Sequence, residues 1–155
     1  MLDSNPFPIK KMKKYLLLFL PIVLFAISGA AASGEVTAAQ VNGTWKMKGG
    51  EFKIWALGQQ RLQIEFSGTY EYQSPQGPTA NEGQGSGIAR IEGDTAVFKP
   101  EGAEDECKIT LKFTRGKLVV TQTGICGFGN NVSAEGTYKK VSSNKPKFDT
   151  DPTNR

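Results

Sequence analysis

Residues 107–126 read CKITLKFTRGKLVVTQTGIC, from Cys107 to Cys126. Cys107, Ile109, Leu111 and Phe113 alternate with polar residues, and Leu118 and Val120 do the same beyond Arg115-Gly116-Lys117. Period-two alternation marks a strand with one buried face, and two such runs flanking a glycine form a β-hairpin. A Gly116-Lys117 turn places glycine first, as a type II′ turn prefers, and sets Phe113 against Val120 and Cys107 against Cys126. An Arg115-Gly116 turn keeps the same inward faces but sets Cys107 opposite Gly124, so that a bulge is needed before the cysteines can bond. The first register is preferred. In both, the two cysteines of the chain form one disulfide, whose closed loop contributes ~3 kcal/mol in the chain-entropy picture.

Outward from this hairpin the chain reads as short strands separated by turn residues. Gly43 to Lys48 and Phe52 to Leu57 flank Gly49-Gly50, and Arg61 to Tyr72 follows Gly58-Gln59-Gln60, with a bend expected near Ser67-Gly68. Gln73 to Gly87 (QSPQGPTANEGQGSG) lacks apolar periodicity and reads as a mobile loop. Ile88 to Ile91, Thr95 to Lys99 and Val132 to Val141 supply further strands. Gly-Thr-aromatic recurs at Gly43-Thr44-Trp45, Gly68-Thr69-Tyr70 and Gly136-Thr137-Tyr138, as expected of barrel corners where the aromatic covers the core. The expectation is an all-β antiparallel meander of seven or eight strands, closed as a barrel in preference to a sandwich, because closure removes exposed edges.

The remaining segments set the address. Lys10, Lys11, Lys13 and Lys14 precede the apolar run Leu16 to Ile27 and the small residues ending at Ala32, the order of a secretory signal over 1–32. Met12 begins such a signal by itself, so Met1 to Lys11 reads as an over-extended start. Pro21 interrupts an apolar run too short to span a bilayer, so no membrane anchor is expected after cleavage. Removing four lysines and Asp3 from 19 basic and 15 acidic residues leaves a net charge of +1, which argues against nucleic acid as a partner. Residues 33–41 form a polar lead-in, 42–141 the β-domain and 142–155 a disordered tail. A disulfide-bearing exported chain belongs in the periplasm or the medium.

The chemistry is narrow. With no histidine in the sequence there is no histidine base or ligand, and bonded cysteines leave no thiolate. No pair of carboxylates is set apart as a glycosidase pair. The acidic run Glu101, Glu104, Asp105 and Glu106 matches no EF-hand spacing. A non-catalytic protein without metal or cofactor is therefore expected. The candidate binding element is the loop after Cys126, in which Gly127 and Gly129 flank Phe128 and Asn130-Asn131 follow. Stapled at Cys126, such a loop could project Phe128 as an interface anchor or fold it back as a plug of the core.

Cys107-x-Ile109-x-Leu111-x-Phe113, Leu118-x-Val120, Gly124-x-Cys126-Gly127-Phe128-Gly129 and Gly136-Thr137-Tyr138 together resemble the closing third of small exported bacterial β-domains. Some of these are similar to periplasmic lysozyme inhibitors, disulfide-closed antiparallel proteins that insert a loop into the hydrolase cleft. One inhibitor class carries Ser-Gly-x-x-Tyr; after Ser67-Gly68, Glu71 stands where that motif has its tyrosine, so no inhibitory residue carries over. Gly43-x-Trp45 resembles the opening strand of lipocalin-like barrels, in which tryptophan closes the base. A histidine-free scaffold with two Gly-rich loops suits a binding module for an extracytoplasmic protein, and the inhibitor resemblance makes a muramidase the first partner to test. A small-ligand carrier or a structural envelope protein is the alternative, and a cavity lined by Trp45 and Trp55 would favour the carrier. Intact-mass measurement of the exported protein should give a product beginning near Ser33; a product retaining Leu16 to Ile27 would refute the signal assignment.

Overall fold

A computed structural model describes residues 34–149 of the chain. The expected signal over 1–32 and the end of the tail lie outside the described residues. A short helix α1 (Ala38–Val41) precedes strands β1 (Gly43–Met47), β2 (Gly50–Gly58), β3 (Arg61–Ser74) and β4 (Gly77–Glu92). These are followed by β5 (Thr95–Phe98), β6 (Lys108–Thr114), β7 (Lys117–Thr123) and β8 (Gly136–Ser142). All neighbours are antiparallel, and β8 pairs with β1, so the meander closes as an eight-stranded barrel.

Alternation along each strand fills the interior. Trp45, Phe52, Ile54, Leu62, Ile64, Phe66, Phe98, Ile109, Leu111, Leu118, Val120 and Tyr138 are all fully buried. Eight strands enclose just enough room for such side chains, and these large residues occupy it. At one end α1 closes the base: Val41 is buried and its carbonyl accepts the Trp45 Nε1 hydrogen bond at 3.0 Å. Trp45 meets Phe113 edge-on at 5.9 Å, and Lys140 lies over its ring at 4.8 Å while donating to the Ala39 and Gln40 carbonyls. Burial lowers the Lys140 pKa. The lead-in is thus partly structural rather than merely polar. Gly43 sits at the seam, where an added Cβ would strike the Ser142 carbonyl, so β1 and β8 approach because it has no side chain.

The disulfide joins Cys107 to Cys126 with a Cα–Cα distance of 4.9 Å, consistent with an oxidising, extracytoplasmic environment. The preferred hairpin register is not the one observed. Phe113 pairs with Leu118, Leu111 with Val120 and Thr114 with Lys117, which makes Arg115-Gly116 the turn. The reason is core matching: the other register sets Leu111 opposite Gln122 and strands Leu118 beside Arg115, whereas this one opposes four large apolar side chains. Gly116 supplies the positive φ of +74° at the second turn position. The expected bulge is replaced by a bend. Gly124, at φ +72°, turns the chain out of the ladder just past Thr123 and folds Cys126 back to Cys107.

Two further expectations are corrected. Gln73 to Gly87 is not a mobile loop; β3 runs unbroken to Ser74 and β4 begins at Gly77, paired with it from Ser74↔Gly77 to Arg61↔Arg90. In the polar tail expected to be disordered over 142–155, residues 142–149 are held against the outer wall of the barrel. Ser142 ends β8, Lys145 lies over Trp55 at 5.8 Å, and the Asp149 backbone N–H donates to Glu65 Oε2 at 2.8 Å. Lys53 joins this contact, 2.6 Å from Glu65 and 3.0 Å from Asp149. Burial works against the Lys53 ammonium, but its hydrogen bonds to Glu65 and Asp149 prevail and hold its pKa above the ordinary lysine value. The tail is held by side chains on the outer walls of β2 and β3, which a composition-based reading of the tail cannot see.

Replacing Cys126 by serine should lower the unfolding free energy by ~2–5 kcal/mol in denaturant melts, and alkylation of the native protein should find no free thiol. Two reactive thiols in the folded chain would contradict the structure.

Candidate binding surface

The loop singled out by sequence lies across β4 instead of standing away from it. Phe128 is 3% exposed and packs its ring 4.7 Å from Phe66. It is a plug of the core and not the projecting anchor. The room for it comes from glycines that composition had assigned to a mobile loop. Gly83, Gly85 and Gly87 are core-facing residues of β4, in register with Gly68, Phe66 and Ile64, and Ala89 continues the same face. A Cβ on Gly83 would collide with the Phe128 carbonyl, and one on Gly85 would lie 2.8 Å from the Phe128 ring. The sequence alternates with period two here after all, but with glycine as its inward residue.

Of the other loop residues, Gly127 is exposed and Gly129 lies against the Glu82 carbonyl. Asn130 accepts a hydrogen bond from Asn81 Nδ2 on its backbone oxygen at 2.8 Å, and Asn131 adopts φ +61° at the surface. The exposed apolar side chain of this loop is Ile125, at 70%. Val132 and Ala134 pack inward beyond it. Gln122 Oε1 accepts the Ala134 N–H at 2.9 Å, and the Tyr138 hydroxyl donates to the Ala134 carbonyl at 2.7 Å. Burial pushes the Tyr138 phenol well above its ordinary pKa.

The loop braces a second feature, the outer half of the β3–β4 hairpin. β2 leaves β3 at the pair Gly50↔Gly68, with one further backbone bond from Thr69 N–H to the Gly49 carbonyl at 2.9 Å. Beyond that point β3 pairs only with β4, and residues 69–73 are exposed on both faces, so a two-stranded ribbon stands clear of the barrel. Two-stranded ribbons are marginal alone. The Asn81–Asn130 bond and the seating of the loop on Gly83 fix its root.

The ribbon has two unlike faces. Tyr70 and Tyr72 share the side that lower down carries Phe66, and they stack at 6.1 Å with 42% and 41% exposure. Glu71 and Glu82 lie on the other side, with Thr69. Where the ribbon leaves the barrel, an open groove of about 630 Å³ includes Ser67, Thr69, Glu82 and Gly127 among its lining residues. Tyr70 also breaks the corner pattern: Trp45 and Tyr138 of the other two Gly-Thr-aromatic triplets are buried, whereas this one faces water. The signal was present as Tyr-Glu-Tyr continuing the period of β3 past Gly68.

Trp45 and Trp55 do not line a common cavity. Trp45 is in the core, and Trp55 is half-buried on the outer wall beneath Lys145. Among the described residues no group of histidine, cysteine, aspartate and glutamate is placed to hold a metal, and no helix is long and apolar enough to cross a membrane. No family model matches the chain, and neither the curated proteins nor the solved structures give a match.

Phe128→Ala should cost ~3–5 kcal/mol in stability, the range of a deleted core aromatic. Gly83→Val should destabilise as well, by forcing the loop off β4. A Phe128→Ala protein that melts with the parent would return Phe128 to the surface.

Proposed function

We propose that the chain is an exported, non-catalytic binding module that presents the β3–β4 ribbon to a protein partner. The observation that carries this reading is the free-standing ribbon with its stacked, exposed Tyr70 and Tyr72. Tyrosines are enriched among interface hot spots, and a narrow projection suits a concave partner site. The bracing by the disulfide-stapled loop supports the same reading, because a preformed element loses less conformational freedom on binding. The filled interior favours presentation over carriage, since a carrier needs volume inside the barrel. The contact thus centres on Tyr70 and Tyr72, with Gly127, Gly129, Asn130 and Asn131 as the supporting loop and Phe128 as its internal peg.

A muramidase of the lysozyme type is the first partner to test. Two things support that choice: the resemblance carried by Cys107 to Lys140, and the fit between a projecting ribbon and a hydrolase cleft. Tyr70→Ala/Tyr72→Ala should leave the melting temperature unchanged and weaken partner binding by about 30-fold or more, as loss of a hot spot does. Undiminished muramidase turnover at large molar excess of folded protein would remove the inhibitor reading. Equal recovery of a partner from extracytoplasmic extract by parent and double variant would remove the ribbon as the contact.

A further inference from the structure

Barrel closure assembles a cationic row that is scattered in the sequence. Lys117 of β7 pairs across to Lys139 of β8, and Lys139 pairs across to Lys46 of β1. All three side chains are on the outer wall. The next partner in the row is Glu51 of β2, which binds Lys46 at 2.6 Å. Among the described residues Lys117 and Lys139 have no ion-pair partner. Arg115 in the adjoining turn adds a further cation.

Like charges directly opposite one another weaken a sheet, so this row runs against fold stability. It is also interleaved with exposed apolar residues. Val119, 37% exposed, is two residues from Lys117 and shares its face; Val141, 57% exposed, stands likewise to Lys139. The aromatic residues of β1, β7 and β8 are Trp45 and Tyr138, both buried, so the wall offers no platform for stacking bases. We infer that the β7–β8–β1 wall docks on an anionic lipid surface, with the lysines among the phosphates and the valines in the interfacial layer. Cations beside exposed apolar groups are what such a surface rewards.

The ribbon fits this orientation. In the closed order β8 stands four strands from β4, so the ribbon and the lysine row lie on opposite walls. Residues 67–84 contain Glu71 and Glu82 and no lysine or arginine. An anionic surface would repel that side and leave Tyr70 and Tyr72 facing away from it. The lysine row does not depend on the ribbon's having a protein partner.

The test is co-sedimentation of protein recovered from the extracytoplasmic fraction with vesicles of phosphatidylcholine alone or mixed equally with phosphatidylglycerol. The parent should partition onto the anionic vesicles only and be released by salt. Lys46→Gln/Lys117→Gln/Lys139→Gln should lower partitioning about 100-fold, from about fivefold per lysine, and remain folded, because the repulsion relieved at Lys117 and Lys139 offsets loss of the Lys46–Glu51 pair. If the triple variant fails to fold, Lys139→Gln alone should show about a fivefold loss. Arg61→Gln/Arg90→Gln/Lys108→Gln removes the same charge elsewhere and should bind as the parent does. Val119→Ser/Val141→Ser should weaken vesicle binding while leaving retention on soluble polyphosphate unchanged. Equal partitioning onto both vesicle types, or equal losses in the two charge variants, would overturn the proposal. Retention on polyphosphate without vesicle binding would also overturn it and assign the row to a soluble polyanion.

Discussion

The pairing of β8 with β1 is the constraint on which the rest depends. Without it the chain is an open sheet with two edges and one buried face at most; with it, every inward residue meets others across a closed interior. The seam is tight because Gly43 lets β1 approach the Ser142 carbonyl, and the ladder shifts between Thr44 and Trp45 as the strands adjust. Closure also places Lys140 above Trp45, where its ammonium reaches the carbonyls of α1 and seals the base. Adjacent in sequence, Lys139 and Lys140 therefore have opposite fates, one in the outer row and one half-buried over the tryptophan ring.

The other end of the barrel is closed by packing of a different kind. β3 and β4 run on past the point where β2 turns away, and the opening beside them is filled by Phe128 on the glycine row of β4. Core closure and ribbon support are thus one arrangement. The loop that buries Phe128 also holds Asn81 through Asn130, and the disulfide fixes the loop's near end to the start of β6. An aromatic lost from the core would therefore loosen the root of the ribbon as well.

Charge is distributed in a way that the chain's net value of +4 conceals. Lys46, Lys117 and Lys139 align on one wall of the barrel, and the ribbon on the opposite side carries carboxylates without cations. Nothing in the linear sequence puts Lys46 near Lys117; two strand pairings do, one of them the closure of the sheet.

The strands, their faces and the cysteine pair were legible because period-two alternation is local and the hydrophobic effect reads it directly. The all-β class, the closed meander and the Cys107–Cys126 bond follow from that pattern. The hairpin register was not legible: a two-residue slip keeps every side chain on its face, and only the matching of Phe113 with Leu118 and Leu111 with Val120 separates the alternatives. Gln73 to Gly87 was misread because glycine is silent in an apolar pattern, although its alternation at Gly83, Gly85 and Gly87 is as regular as any strand's. Whether Phe128 enters the core or the solvent depends on those distant glycines, and whether Tyr70 is a corner or a projection depends on where β2 stops. Sequence by itself determined which residues could face inward. Tertiary structure alone decided which of them had a core to face, because burial is set by what the rest of the chain brings alongside.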